Sequence, residues 1–154
     1  MRVVIQRVSR AQVSESTSPH LVQAAVGKGL VVLAAFEEKD SPLLIEQMAQ
    51  KIKSLRIFAD ANGKMNLGGS EVGAQYLVTS QFTLYADVKY GNRPSFDKAA
   101  PKGRAKEYYE HFAKTMVRIL GESSVHYTQF GSDIQIELVN DGPVTLALDS
   151  NDIL

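Results

Sequence analysis

The chain has 154 residues, 44% of them hydrophobic and 22% charged, with 17 lysines and arginines against 17 aspartates and glutamates, three histidines and no cysteine. This fits one soluble globular domain over residues 1–154, long enough to bury roughly 68–70% of its unfolded surface. Without cysteine there is no disulfide framework, no thiolate nucleophile and no Cys-ligated zinc or iron–sulfur centre. The longest apolar run, Leu30 to Phe36, falls far short of the roughly 18 residues of a membrane span, so a cytoplasmic protein without a membrane partner is expected.

Arg2 to Ser14 is β-branched and partly alternating, which predicts a long strand. Ser16 to Pro19 supplies a turn. Leu21 to Val26 and Leu30 to Phe36 read as further strands broken at Gly27-Lys28-Gly29, and together the three suggest an antiparallel meander. The lone G-x-G lacks the third glycine and following helix of a dinucleotide fingerprint. Ser41 and Pro42 form a helix start, after which Leu44, Ile45, Met48, Ile52 and Leu55 repeat at helical spacing. Arg56 to Phe58 is a short strand, Asp60 to Gly63 a turn, and Tyr76 to Phe82 a strand. Ala105, Tyr108, Tyr109, Phe112, Met116, Ile119 and Leu120 mark a second amphipathic helix stopped by Gly121. Ile134 to Val139 and Val144 to Leu148 are predicted as two strands separated by Asn140-Asp141-Gly142-Pro143. The sum is an α+β fold, a mainly antiparallel, barrel-like β core with two amphipathic helices. Pro143 removes a ladder donor at the head of an apolar strand, and its bond to Gly142 fits cis or trans.

His20, His111 and His126 show no metal-ligand spacing, so neither metal nor cofactor is expected. No G-x-S-x-G elbow supports a serine triad. The unusual segment is Ser80-Gln81-Phe82-Thr83-Leu84-Tyr85. Polar side chains at the end of an apolar strand need partners, and N–H groups freed there can face an oxyanion while Ser80, Gln81 and Thr83 orient a substrate. Equally, Ser80 and Thr83 can simply satisfy a local turn. Charge is also uneven. Lys89, Arg93, Lys98, Lys102, Arg104 and Lys106 face Asp97 alone, which reads as a solvated loop or as a phosphate-binding surface.

Seven blocks, in order, resemble the D-aminoacyl-tRNA deacylases of the bacterial and eukaryotic type, the D-tyrosyl-tRNA deacylase family. They are Met1 to Ala11, Gly27 to Leu30, Leu55 to Phe58, Gly63 to Leu67, Ser80 to Asp87, Gly91 to Phe96 and Val139 to Thr145. The resemblance implies a cytosolic homodimer that hydrolyses the ester between a D-amino acid and the terminal adenosine of tRNA. It places Ser80, Gln81, Phe82 and Thr83 along the pocket, with amides around Phe82 and Thr83 as oxyanion hole and the adenosine 2′-hydroxyl assisting. It makes Gly142 and Pro143 a Gly-cisPro pair entering from the partner subunit, whose carbonyl oxygens hold the amino group and leave no room for an L side chain. Glycine passes such a filter, so glycine mischarged on alanine tRNA is a further expected substrate. Arg7, otherwise an ordinary outward strand charge, is implied to hold the Gly-Pro pair. Phe130 matches a pocket-side aromatic, core packing being its other reading.

For an aminoacylated tRNA partner, Lys89, Arg93, Lys98, Lys102 and Arg104 are the candidate phosphate contacts. Tyr108 and Tyr109 fit core packing better than base stacking. The chain departs from the family pattern at Ala34-Ala35-Phe36, at Ile134 and in the longer, more polar Ser16 to Pro19. Two other readings are an L-alanyl-tRNA-editing relative, against which Asn140 to Thr145 speaks, and a non-enzymatic nucleic-acid-binding module, which needs neither Ser80 to Thr83 nor Gly142-Pro143.

Overall fold

The computed structural model describes residues 1–153. Its strands are β1 (Arg2–Glu15), β2 (Ser18–Val26), β3 (Gly29–Ala35), β4 (Phe58–Ala59), β5 (Met65–Leu67), β6 (Gln75–Ser80), β7 (Val125–Tyr127) and β8 (Ile134–Asp149). The helices are α1 (Pro42–Ser54), α2 (Lys102–Leu120) and the short α3 (Ser150–Ile153). The α+β class holds, with a nearly closed, barrel-like main sheet.

That sheet is mixed, which corrects the mainly antiparallel expectation. β1 pairs antiparallel with β2, β3 and β8, whereas β6 runs parallel to both β3 and β7. Parallel neighbours need crossovers, and the β3-to-β6 and β6-to-β7 connections contain α1 and α2 respectively. Hydrophobic pattern reports burial and not strand direction, so the sequence left this open.

Nor is there a meander. β2 and β3 lie end to end along one edge of β1, in one unbroken register from Ala11↔Val26 to Val8↔Gly29. The break at Gly27 to Gly29 is the point where β6 arrives. Gln75 donates its N–H to the Lys28 carbonyl at 3.0 Å, and its side-chain oxygen accepts from the Gly27 N–H at 2.8 Å. A Cβ on Gly29 would sit 1.9 Å from the Gln75 carbonyl oxygen, so glycine is required there for close approach, not for reversal.

Both predicted helices form. Ser41 Oγ accepts from the Leu44 N–H at 3.2 Å with Pro42 at the first turn, and Gly121, at φ 97°, ends α2. Ile45, Met48, Ala49 and Ile52 of α1 and Tyr109, Phe112 and Met116 of α2 pack on Val3, Ile5, Leu30, Val32 and Ala34. A smaller cluster on the opposite sheet face joins Val8, Ala11, Val13, Val26, Val31 and Leu77.

β8 is one strand and not two. It follows β1 along its full length but bulges where Asn140 stands opposite Val8 and Thr145 opposite Gln6, so that Asp141 to Val144 leave the ladder. The Gly142-Pro143 peptide within the bulge is cis.

Candidate active site

β6 ends at Ser80. Its last bond to β3 is the Gln81 N–H to the Ala34 carbonyl at 2.7 Å, after which Phe82–Tyr85 turns into a single 3-10 turn. The strand predicted through Phe82 therefore stops two residues early. The break has a consequence: the first N–H groups of a helical turn have no acceptor within it. Among the described residues, the amides of Phe82 and Thr83 donate to nothing in the fold. Gln81 Nε2 donates to Thr83 Oγ1, Ser80 Oγ receives the Gly131 N–H at 3.5 Å, and the Phe82 ring, 55% exposed, meets Phe96 edge-on at 5.0 Å.

A buried hydroxyl network braces this strand end. Thr128 Oγ1 donates to Thr79 Oγ1 at 3.0 Å, and the Tyr109 hydroxyl lies 2.8 Å from the Thr128 carbonyl and 3.1 Å from that of Val78. Sequence alone does not mark these three side chains as site residues, because the partners converge from three separate segments. Tyr108 and Tyr109 are both buried, in agreement with core packing. Phe130 packs at a tilt on Tyr109, with ring centroids 5.8 Å apart, and also borders a groove open to solvent.

Burial pushes the Tyr109 phenol up to about 12 from its ordinary 10.0. Because the folded state holds this proton more tightly, the resulting stability is complete below pH 10 and is lost as pH rises toward about 12. Tyr109→Phe is expected to cost about 1–3 kcal/mol at pH 7. Thermal melts should show the gap between wild type and variant narrowing above pH 10. A gap independent of pH would contradict it.

Arg7 is 9% exposed and not an outward charge. Its Nη1 donates to the Ile57 carbonyl at 2.6 Å, and its Nε lies 3.3 Å from the Asp141 carbonyl and 3.1 Å from Asp141 Oδ2. Asn140 clamps the other side, its Oδ1 accepting the Val144 N–H at 3.1 Å and its Nδ2 donating to Thr145 Oγ1 at 2.8 Å. Gly142 and Pro143 are thus held proud of the surface, and both are exposed. Within one chain they lie on a different strand of the main sheet from Ser80. The strand order β8, β1, β3, β6 puts three steps between them, and Ser80 aligns through Ala34 with Val3 while the bulge lies at Arg7.

The candidate phosphate contacts do not form one patch of free charge. Lys98 pairs with Asp87 at 3.1 Å and Arg104 with Glu107 at 3.0 Å. Lys89 and Arg93 stay on the exposed loop between β6 and α2, and Lys102 opens α2. No group of three or more His, Cys, Asp or Glu side chains among the described residues could hold a metal ion, and no helix is long and apolar enough to cross a membrane.

Residues 4–149 match the family model described as D-Tyr-tRNA(Tyr) deacylase. A D-aminoacyl-tRNA deacylase of Akkermansia muciniphila is 48% identical over 150 residues, covering 97% of each chain. Proteins of the same name from Dechloromonas aromatica and Anaeromyxobacter dehalogenans are 46% and 49% identical at the same coverage. Among solved structures, a c-Myc DNA unwinding element binding protein superposes with TM-score 0.89 at 33% identity, covering 97% of this chain and 98% of that one. A probable eukaryotic D-amino acid tRNA deacylase shares the fold with TM-score 0.82 at 17% identity, covering 96% of this chain and 97% of that one. With a family match across nearly its whole length and relatives close to half identical, the chain belongs to the D-Tyr-tRNA(Tyr) deacylase family.

Proposed function

We propose that this chain hydrolyses the ester joining a D-amino acid to the terminal adenosine of tRNA, as a cytoplasmic homodimer that proofreads aminoacylated tRNA. The observation that carries the reading is the end of β6, where two unpartnered amides, Phe82 and Thr83, follow directly on Ser80 and Gln81. Two adjacent N–H groups without an acceptor in the fold suit the oxyanion of a tetrahedral intermediate.

In this reading water attacks the ester carbonyl, the amides of Phe82 and Thr83 take the oxyanion, and the adenosine 2′-hydroxyl helps to move the proton toward the departing 3′-oxygen. Ser80 and Gln81 position the ester. Gly142 and Pro143 of the partner subunit supply carbonyl oxygens to the α-ammonium and block the space an L side chain needs. Their separation from Ser80 within one chain supports supply from a second copy, and the Arg7 and Asn140 contacts hold them ready. Phe130 flanks the pocket. A glycyl ester offers no side chain to block, so glycine mischarged on alanine tRNA is also a substrate. Lys89, Arg93 and Lys102 contact phosphates, with Lys98 and Arg104 available by exchange of weak, solvent-screened surface ion pairs.

The solved structure named for binding a DNA element, at 33% identity, keeps a non-enzymatic nucleic-acid-binding reading in view. The test is hydrolysis of D-tyrosyl-tRNA at substoichiometric protein. Many turnovers per subunit are expected; binding without turnover would favour the binding module.

A further inference from the structure

A groove of about 650 Å³ runs between α2 and the residues that follow β7, lined by Lys102, Lys106, Lys114, Tyr127, Gln129 and Phe130 among others. Three lysines line it against one acidic residue, Glu110, whose carboxylate is 3.8 Å from Lys106 Nζ, leaving Lys102 and Lys114 without an acidic partner in the groove. Tyr127 is 52% exposed beside them. Its ring meets no other aromatic ring and no cation among the described residues. A cationic groove with an open aromatic platform is the combination that single-stranded nucleic acid requires, phosphates lying on the charges and a base on the ring.

The position of the groove is as informative as its chemistry. Its wall is Thr128 to Phe130 with Tyr109; Thr128 Oγ1 donates to Thr79 Oγ1, the Tyr109 hydroxyl meets the Val78 carbonyl, and the Gly131 N–H next to the wall reaches Ser80 Oγ. The groove therefore abuts the back of the β6 end and leads away from it along α2. From Lys102 to Lys114 is 12 residues, or about 18 Å of helix.

We propose that this groove holds the unpaired 3′ strand of tRNA just before its terminal adenosine, with Lys106 and Lys114 joining Lys102 on the phosphates and Tyr127 stacking on a base. The assignment rests on the deacylase reading, which puts the terminal ester at Ser80 to Thr83. It separates the strand path from the chemistry: contacts in the groove act on tRNA and not on the ester itself.

The test compares D-tyrosyl-tRNA with 3′-O-D-tyrosyl-adenosine, which lacks every nucleotide the groove would hold. In Lys106→Ala/Lys114→Ala and in Tyr127→Ala, KM for the tRNA substrate should rise about tenfold with kcat within about twofold. The adenosine ester should be cleaved as by wild type. The salt slope of tRNA binding should also fall by about 1.4 in the double variant, for two lost contacts. Equal losses on both substrates, or an unchanged KM and salt slope on tRNA, would overturn the assignment. Should wild type cleave neither substrate, the deacylase reading fails by itself. Direct tRNA binding then decides the groove, with weakened binding in the variants supporting it and unaltered binding overturning it.

Discussion

D-tyrosyl-tRNA ending in 2′-deoxyadenosine is expected to react about 10²–10⁴-fold more slowly than the ribose form, whereas Thr83→Ala should stay within about tenfold of wild type. The reason is what surrounds the β6 end. Thr83 Oγ1 is contacted by the Gln81 amide, which donates and cannot take a proton. Tyr85 is buried and its phenol is pushed upward by that burial and by Asp40, Glu37 and Asp149. Asp87 receives the Lys89 N–H at 2.9 Å and Lys98 Nζ at 3.1 Å, which hold its carboxyl below the usual range and make it a poor base. An unactivated threonine is a weak nucleophile. The substrate hydroxyl is the remaining group of suitable chemistry beside the ester. Single-turnover rates on the two tRNAs and the variant check this. Full activity on the deoxy substrate together with loss in Thr83→Ala would reverse the assignment.

Gly142→Ala is expected to lower kcat/KM on D-tyrosyl-tRNA by about 10²-fold, the scale of a 1 Å misplacement of a binding group. At φ 120° an L side chain is strained, and a Cβ would stand 2.9 Å from both Arg7 Nη2 and Val144 Cγ2 and 3.1 Å from the Val144 nitrogen. Arg7 is held by the Ile57 carbonyl and by Asp141, and the Val144 backbone is tied to Asn140. The bulge must therefore shift. Because it lies outside the ladder and is exposed, the strain of about 1–3 kcal/mol should lower Tm by less than about 10 °C. A variant of wild-type activity would remove Gly142 from the site, and one that fails to fold would show the bulge to be a structural element first.

Amphipathic periodicity made α1 and α2 legible, helped by Ser41, Pro42 and Gly121, because helical caps act within a few residues. Gly27 to Gly29 misled, since a glycine demanded by the distant Gln75 carbonyl looks in sequence like one demanded by a turn. Pro143 misled similarly: it suggested an interruption where β8 continues past a bulge. β7, of three residues, carries too little pattern to be noticed. In the candidate site, Ser80 to Thr83 stood out through misplaced polarity. Arg7 did not, because the Ile57 carbonyl that captures it lies 50 residues away. The run of basic residues overstated the available charge, since Asp87, Glu107 and Glu110 pair with three of them in space.

Chiral hydrolysis is read from the initial deacylation rates of D-tyrosyl-tRNA and L-tyrosyl-tRNA, taken side by side with protein far below substrate. The expected result is many turnovers on the D ester and no rate above background on the L ester. Hydrolysis of both at similar rates would contradict the filter assigned to Gly142 and Pro143. Hydrolysis of neither, with tRNA still bound, would contradict the deacylase reading itself.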